Sequence, residues 1–96
     1  MISREDFLFT IGYDGLQAVV DGKAKRQYGS LTTMQLAEEG LYRAAFSSAL
    51  YSGDEAEMKA FIAFFNAKAG TAYSTPDELM RLFGVSREEV KKVLIL

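Results

Sequence analysis

The feature that most constrains this fold is the Asp14-Gly15 pair near the N-terminus, which stands between two runs of alternating apolar residues. Asp-Gly favours a two-residue β-hairpin turn, because both central positions of that turn take a positive φ. We therefore predict a hairpin over residues 7–21, with Tyr13 opposite Leu16 and all the alternating residues on one face. A lone hairpin is only marginally stable in water, so helices are predicted to cover that face. The alternating residues are Phe7, Phe9, Ile11, Tyr13, Leu16, Ala18 and Val20.

The composition is that of a globular domain and narrows the chemistry. The chain has 96 residues, 49% of them hydrophobic and 25% charged, which fits one domain with one core. It contains no His and no Cys, and this excludes the usual zinc site, a thiol nucleophile and a Ser-His-Asp arrangement. The net charge of −2 gives no overall attraction to nucleic acid or to an anionic membrane. We predict no metal and no cofactor.

The hydropathy pattern indicates a cytoplasmic protein. No apolar run approaches the roughly 18–20 residues that a membrane span needs. The first six residues contain two acidic side chains and one Arg, which is not the pattern of a signal peptide. We predict a single domain over residues 1–96, prokaryotic in character and located in the cytosol.

Capping signals predict the first helices after the hairpin. Asp21 and Gly29 are placed to begin and end a short helix over residues 22–28. Thr32 with Gln35 three residues later forms a capping box, so another helix is predicted to begin there.

This next helix is predicted to run to about Tyr51, with Gly40 inside it. From Leu41 onward it is apolar on almost every side, and a helix of that kind is normally buried. It is therefore the predicted central helix. Ser52 with Glu55 then forms a second capping box.

The following helix carries an apolar stripe at helical spacing and ends at Gly70. A further helix begins with a capping box of Thr75 and Glu78 and ends at Gly84. Ser86 with Glu89 is predicted to open a last helix that includes Val90, Val93 and Leu94. The stripe consists of Met58, Phe61, Ile62, Phe65 and Ala69.

These elements predict an α+β fold, mainly α, in which an N-terminal β-hairpin packs on a bundle of four or five helices. The hairpin takes residues 7–21, a helical core takes residues 22–70, and closing helices take residues 75–96.

The closing segment resembles a helix-turn-helix motif over about 20 residues. Leu79 stands five residues before Gly84, and Val90 stands five residues after Val85, which is the apolar spacing of that motif. Gly84 supplies the turn and Ser86 caps the second helix. The resemblance implies contacts to nucleic acid from the second helix, through Ser86, Arg87, Lys91 and Lys92.

The same segment departs from the DNA-binding pattern. Met80 occupies a position where a small residue is usual, and Glu88 and Glu89 lie on the helix that would face phosphates. An ordinary helical corner that closes the domain is the alternative, and it is favoured. The arrangement also looks like part of a ubiquitin-associated-type module, of which only two helices are present.

A basic cluster on the short helix offers an auxiliary contact for nucleic acid. It consists of Lys23, Lys25 and Arg26. The alternative, which is favoured, is a solvated helix face whose charge is balanced by the acidic residues nearby in sequence.

The surplus of apolar residues predicts a protein interface. Four residues at the helical stripe and the C-terminal end are candidates for it, namely Phe64, Val93, Ile95 and Leu96. Self-association as a homodimer, by sheet extension or helix docking, is one form of this prediction. A well-filled core with a frayed apolar tail is the alternative.

The acidic residues give little support to catalysis or metal binding. Asp54, Glu55 and Glu57 fall at a predicted helix start, where the helix dipole favours negative charge. We predict a small, non-enzymatic regulatory or protein-interaction module, with an unknown protein or a second copy as its partner. A nucleic-acid-binding regulator is the alternative.

Overall fold

A computed structural model describes residues 2–96, which form six helices and a three-stranded sheet. The predicted class, α+β and mainly α, is confirmed. The elements are α1 (Arg4–Leu8), β1 (Thr10–Asp14), β2 (Gln17–Val20), α2 (Gly22–Tyr28), α3 (Thr33–Glu38), α4 (Tyr42–Ser52), α5 (Glu55–Ala69), α6 (Pro76–Phe83) and β3 (Lys92–Ile95).

The described chain divides into two compact units. The sheet unit contains residues 2–31 and 87–96, and the helical unit contains Thr32–Ser86. A single domain over residues 1–96 stays a prediction, and Met1 lies outside the described residues.

The sheet has the order β1-β2-β3, with β1 antiparallel to β2 and β3 parallel to β2. The hairpin is present, but its predicted register is wrong. Tyr13 lies opposite Ala18, so the two-residue loop is Gly15-Leu16. Gly15 has a φ of +60°, and no other residue of the loop has a positive φ. Glycine at the first loop position is typical of a type II′ turn, which moves the turn one residue along the chain.

A β-bulge at Ile11 also changes which side chains share a face. Thr10 pairs with Val20, and the register shifts between Thr10 and Gly12, which leaves Ile11 as the extra residue of β1. The bulge places Thr10 and Tyr13 on the face of Ala18 and Val20. Ile11 is 60% exposed, so the prediction that it shares the covered face is wrong. The same prediction is wrong for the 45%-exposed residue in the turn, Leu16.

The start of the predicted first strand is a helix instead. The Ser3 side chain accepts a hydrogen bond from the Asp6 amide and forms the N-cap of α1, and Phe9 is the C-cap residue. Phe7 and Phe9 are buried, as the apolar pattern predicted, although neither lies in a strand. A local cap with acidic residues in the first turn therefore overrides the strand-like alternation.

The prediction for α2 is confirmed, since Asp21 caps its start and Gly29 follows its end. Gly22 is buried where α2 begins. A Cβ atom at this position would lie 2.5 Å from the Leu96 carbonyl oxygen and 2.7 Å from Ile95 Cγ2. The first turn of α2 therefore packs directly against the end of β3, and glycine makes that approach feasible.

In the helical unit, the capping box of Thr32 and Gln35 is confirmed, but the long helix predicted after it is wrong. Gly40 has a φ of +80°, so the chain leaves the helix after α3 and begins α4 at Tyr42. The left-handed conformation, which glycine adopts without steric cost, separates the two helices. The seven residues 44–50 of α4 are all buried, which fits its predicted central role.

The start of α5 differs by two residues from the prediction. Asp54, not Ser52, is the cap, because Asp54 Oδ1 accepts hydrogen bonds from the amides of Ala56 (2.9 Å) and Glu57 (3.2 Å). Ser52 ends α4, and its hydroxyl oxygen lies 2.9 Å from the Ala49 carbonyl oxygen. The predicted end of α5 at Gly70 is confirmed.

Four phenylalanine rings form the centre of the helical unit. Phe46 lies 6.0 Å from Phe61 and 5.6 Å from Phe83 between ring centroids, and Phe65 lies 5.3 Å from Phe83. Phe46 and Phe61 have no exposed surface. Contacts of this geometry add about 0.5–1.5 kcal/mol per pair to the burial of the rings.

The capping box of Thr75 and Glu78 and the end of α6 at Gly84 are confirmed. The last predicted helix is wrong, because residues 85–90 form no helix and Lys92–Ile95 form β3. Pairing with β2, which lies far away in sequence, prevails here over the local capping signal of Ser86. No helix within residues 2–96 has both the length and the apolar character needed to cross a membrane.

Candidate interaction surface

The β3 strand presents apolar side chains to solvent. Val93 is 38% exposed, Leu94 45% and Ile95 47%, and the adjoining Leu96 is 65% exposed. Three of the four residues predicted from sequence for a protein interface therefore lie together at one sheet edge. The fourth, Phe64, is half-buried on α5 in the helical unit.

The outer edge of β3 is open, since no strand within residues 2–96 pairs with it. On its inner side, the Lys92 amide donates to the Leu16 carbonyl oxygen (3.2 Å) and the Leu96 amide donates to the Val20 carbonyl oxygen (3.0 Å). Backbone groups alternate in direction along a strand. The N–H and C=O groups of Val93 and Ile95 therefore point away from β2, and they are the hydrogen-bonding groups of the open edge.

Apolar side chains are exposed on both faces of this edge. Val93 and Ile95 lie beside Ala18 and Val20 of β2, on the face of the sheet where Ala18 and Val20 are buried. Leu94 lies on the opposite face, beside Val19. A segment that paired with β3 would therefore cover apolar surface above and below the sheet.

The other edge of the sheet, β1, has a different character. The bulge at Ile11 interrupts its register with β2, and Asp14 places a charge at its end. Bulges and charges are the usual means by which an edge strand is protected from pairing with another chain. β3 is regular in its pairing with β2 and lacks a bulge.

Lys91 and Lys92 lie where β3 begins, next to the hairpin turn. The Lys91 amide donates to the Leu16 carbonyl oxygen at 2.8 Å. The two lysines line an open pocket of about 380 Å³ together with Asp14, Leu16 and Gln17. The walls of this pocket combine positive, negative and apolar groups, so they do not form a purely basic site.

The predicted basic cluster on α2 is divided by its contacts. Lys25 Nζ lies 2.7 Å from Asp6 Oδ1, in an ion pair between α1 and α2. Lys23 and Arg26 are exposed. The first turn of α2 packs against the C-terminal end of β3, whereas Lys92 is the first residue of that strand. The two ends of β3 are about 10 Å apart at roughly 3.3 Å per residue. The start of α2 and Lys92 therefore lie at opposite ends of β3.

Ser86 and Arg87 lie in the irregular segment between α6 and β3, with Ser86 half-buried and Arg87 exposed. The helix on which the helix-turn-helix resemblance would place them is not formed. Nucleic-acid contacts from these residues, and from Lys91 and Lys92, stay a prediction.

A hydroxyl network in the helical unit was not predicted from sequence. Thr33 Oγ1 hydrogen-bonds to the Glu57 carboxylate and to Ser48 Oγ, the latter at 2.7 Å. Ser52 Oγ donates to the second oxygen of Glu57 at 2.7 Å. These bonds join α3, α4 and α5, and no fixed sequence spacing predicts them. Within residues 2–96, no three acidic side chains are grouped as metal ligands would be.

Comparison with family models, with curated protein sequences and with solved structures finds no match for this chain.

Proposed function

We propose that this protein is a non-enzymatic protein-interaction module whose docking element is the outer edge of β3. The observation that carries the proposal is the exposure of Val93, Leu94 and Ile95 on a regular strand whose outer edge is open. An extended segment of a partner adds to such an edge as a further strand, with affinity from main-chain hydrogen bonds and specificity from alternate side chains.

The pairing of β3 with β2 determines which groups of β3 would contact the partner. The outward backbone groups of Val93 and Ile95 bind the partner's main chain. The side chains of those two residues contact one set of alternate partner residues, and Leu94 contacts the other set. The regulatory role and cytosolic location predicted from the sequence stay predictions.

A selection from random displayed peptides, with the intact protein as bait, tests the proposal. We expect enriched peptides to be extended and apolar at alternate positions. When a synthesised peptide from the selection is added to ¹⁵N-labelled protein, the largest amide shifts are expected at residues 92–96.

Two variants make the test specific. Val93→Pro removes an outward N–H group and leaves the bonds from Lys92 to Leu16 and from Leu96 to Val20 intact, so peptide binding should be lost without loss of the sheet. Leu82→Lys changes a 48%-exposed leucine in the helical unit and should bind as the unaltered protein does. The proposal is wrong if the protein is monomeric and enriches no peptide, or if the shifts lie outside β3.

Nucleic-acid binding is the second candidate, and the exposure of Arg87, Lys91 and Lys92 favours it. Mixed-sequence duplex DNA, titrated into labelled protein at low salt, tests this candidate. Shifts at residues 85–92 that reverse when salt is added would support it, because phosphate contacts weaken steeply with salt. An unchanged spectrum would exclude it.

A further inference from the structure

We infer that the segment docked on β3 is β3 of a second copy of this chain, in antiparallel orientation. The inference rests on the proposed function of the strand edge and names its partner. The two copies would form a continuous six-stranded sheet around a two-fold axis, in the order β1-β2-β3-β3-β2-β1.

The hydrogen-bonding pattern restricts the register to those that pair Val93 and Ile95. In an antiparallel pair, residues that exchange both hydrogen bonds must each direct their backbone groups toward the other strand. On β3 those residues are Val93 and Ile95, as the inward bonds of Lys92 and Leu96 require. Pairing Val93 of one copy with Ile95 of the other uses both of these residues on each strand, whereas pairing either residue with its own copy forms only one such pair. In the register with more hydrogen bonds, Leu94 faces the second Leu94 across the axis.

This register also places the exposed side chains against one another. Val93 and Ile95 meet on one face of the sheet, and the two Leu94 side chains meet on the other. All three are between 38% and 47% exposed in the single chain. The exposed apolar side chains of one β3 strand are thus covered by those of the other.

Charge determines the orientation. Lys91 and Lys92 precede the apolar part of the strand, so a parallel pair would bring four lysines together. In the antiparallel register Lys92 lies opposite Leu96, and the two Lys92 positions are four residues apart along the strand. That distance is about 13 Å at roughly 3.3 Å per residue, which exceeds the screening length of about 8 Å at physiological salt.

The other edge of the sheet limits assembly to two copies. Pairing of β3 with β1 of another copy would leave further edges open and propagate into a filament. The bulge at Ile11 and the charge of Asp14 disfavour β1 as a pairing edge. Pairing of β3 with itself consumes both regular edges and closes the assembly.

Sedimentation velocity over a range of concentrations gives the first test. The unaltered protein should change from 10.6 kDa to about twice that mass as concentration rises. Leu94→Lys places two charges opposite each other on the axis and should leave a folded monomer. Leu82→Lys, which changes an equally exposed leucine outside the sheet, should still dimerise.

Single cysteines test the register, because the chain has no cysteine of its own. Residues opposite each other in a non-hydrogen-bonded pair have Cα atoms about 4.5 Å apart, within the range of a disulfide. Leu94→Cys should therefore form a disulfide-linked dimer under mild oxidation. Val93→Cys should not, because its counterpart lies two residues away along the partner strand.

The outcomes separate this inference from the function on which it rests. A monomer at every concentration, with peptides still bound at β3, would overturn the second copy as partner and retain the interaction module. A monomer that also binds no peptide would overturn both. The β3 register would be rejected if Leu94→Lys dimerised as the unaltered protein does. It would also be rejected if the two cysteine variants crosslinked equally.

Discussion

The helical unit and the sheet unit are assembled from the sequence in different ways. The helical unit is one continuous segment in which Thr32, Asp54 and Thr75 cap three of the helices. The sheet unit joins residues 2–31 to residues 87–96, and β3 is held through its pairing with β2 and its contact with Gly22. Local hydrogen bonds thus set the helix ends of the first unit, and pairing between distant segments holds β3 in the second.

This difference explains where each unit is sensitive to substitution. In the helical unit, the stabilising contacts are concentrated among buried rings. In the sheet unit, β3 has exposed side chains and depends on main-chain pairing and one close approach. Substitutions that act on side-chain volume should therefore affect the helical unit most, whereas β3 should respond to changes in backbone geometry.

The largest effect is expected for Phe61→Ala. Phe61 has no exposed surface and contacts three other phenylalanine rings, so removal of its ring should lower the free energy of unfolding by about 3–5 kcal/mol. Urea denaturation measures the change, with Phe61→Leu as a milder variant if the first does not fold. Phe64→Ala, on the half-buried side of the same helix, is the control; equal losses for Phe61 and Phe64 would contradict a ring-centred core.

Gly22→Ala should have the next largest effect and should act on the sheet unit. The added Cβ atom would collide with the Leu96 carbonyl oxygen and Ile95 Cγ2, so α2 or β3 must shift, at about 1–3 kcal/mol. Hydrogen exchange should show lost protection of the Leu96 amide. Gly12→Ala is the matched control, since no atom lies within 4 Å of its Cβ position. Retained protection in Gly22→Ala would show that the approach is not tight.

The same difference sets how much of the structure the sequence predicts. Caps and glycine stops predict α2, the start of α3 and the whole of α6, because the groups that satisfy those helix ends lie within a few residues. The predictions fail where two local signals compete. Gly40 is compatible with a helix interior or a left-handed stop, and the structure has the stop.

The strand β3 is the clearest failure and also the basis of the candidate site. Ser86 and Glu89 form a valid capping signal, while the strand that replaces the helix is paired with residues some 75 positions earlier. No local pattern records a parallel pairing over that separation. The sequence nevertheless predicts Val93, Ile95 and Leu96 as interface candidates, because an apolar surplus favours exposed apolar residues whichever element they form.

Substitution of Ser47 in the helical unit should have a smaller effect, and it should stabilise the fold. Its hydroxyl is buried on α4 and makes no hydrogen bond within residues 2–96. An unsatisfied buried hydroxyl is destabilising, so Ser47→Ala should raise the free energy of unfolding by about 1 kcal/mol. The neighbouring Ser48 hydrogen-bonds to Thr33, and Ser48→Ala should lower it by a similar amount. Thermal or urea unfolding of both variants checks this; a loss of stability in each would refute the distinction.

The smallest effect is a pH dependence at the first turn of α6, where a local cap can be titrated. Hydrogen bonds from the Ser74 backbone and hydroxyl, followed by those from Thr75, lower the pKa of Glu78 below its ordinary value. A carboxyl group whose pKa is lower in the folded state stabilises the fold above its unfolded-state pKa, and this contribution is lost as the pH falls through the folded-state pKa.

Carboxyl ¹³C titration of Glu78 should show the lowered pKa, and Ser74→Ala should raise it toward the ordinary value. Glu78→Gln should be less stable than the unaltered protein at neutral pH, and the difference should shrink as the pH falls through the titration of Glu78. A constant difference at all pH values would show that the capping box acts through geometry alone. Because the hydrogen bonds of Glu78 all come from residues within four positions of it, the effect should remain confined to the start of α6, as expected of a unit whose helix ends are defined by local hydrogen bonds.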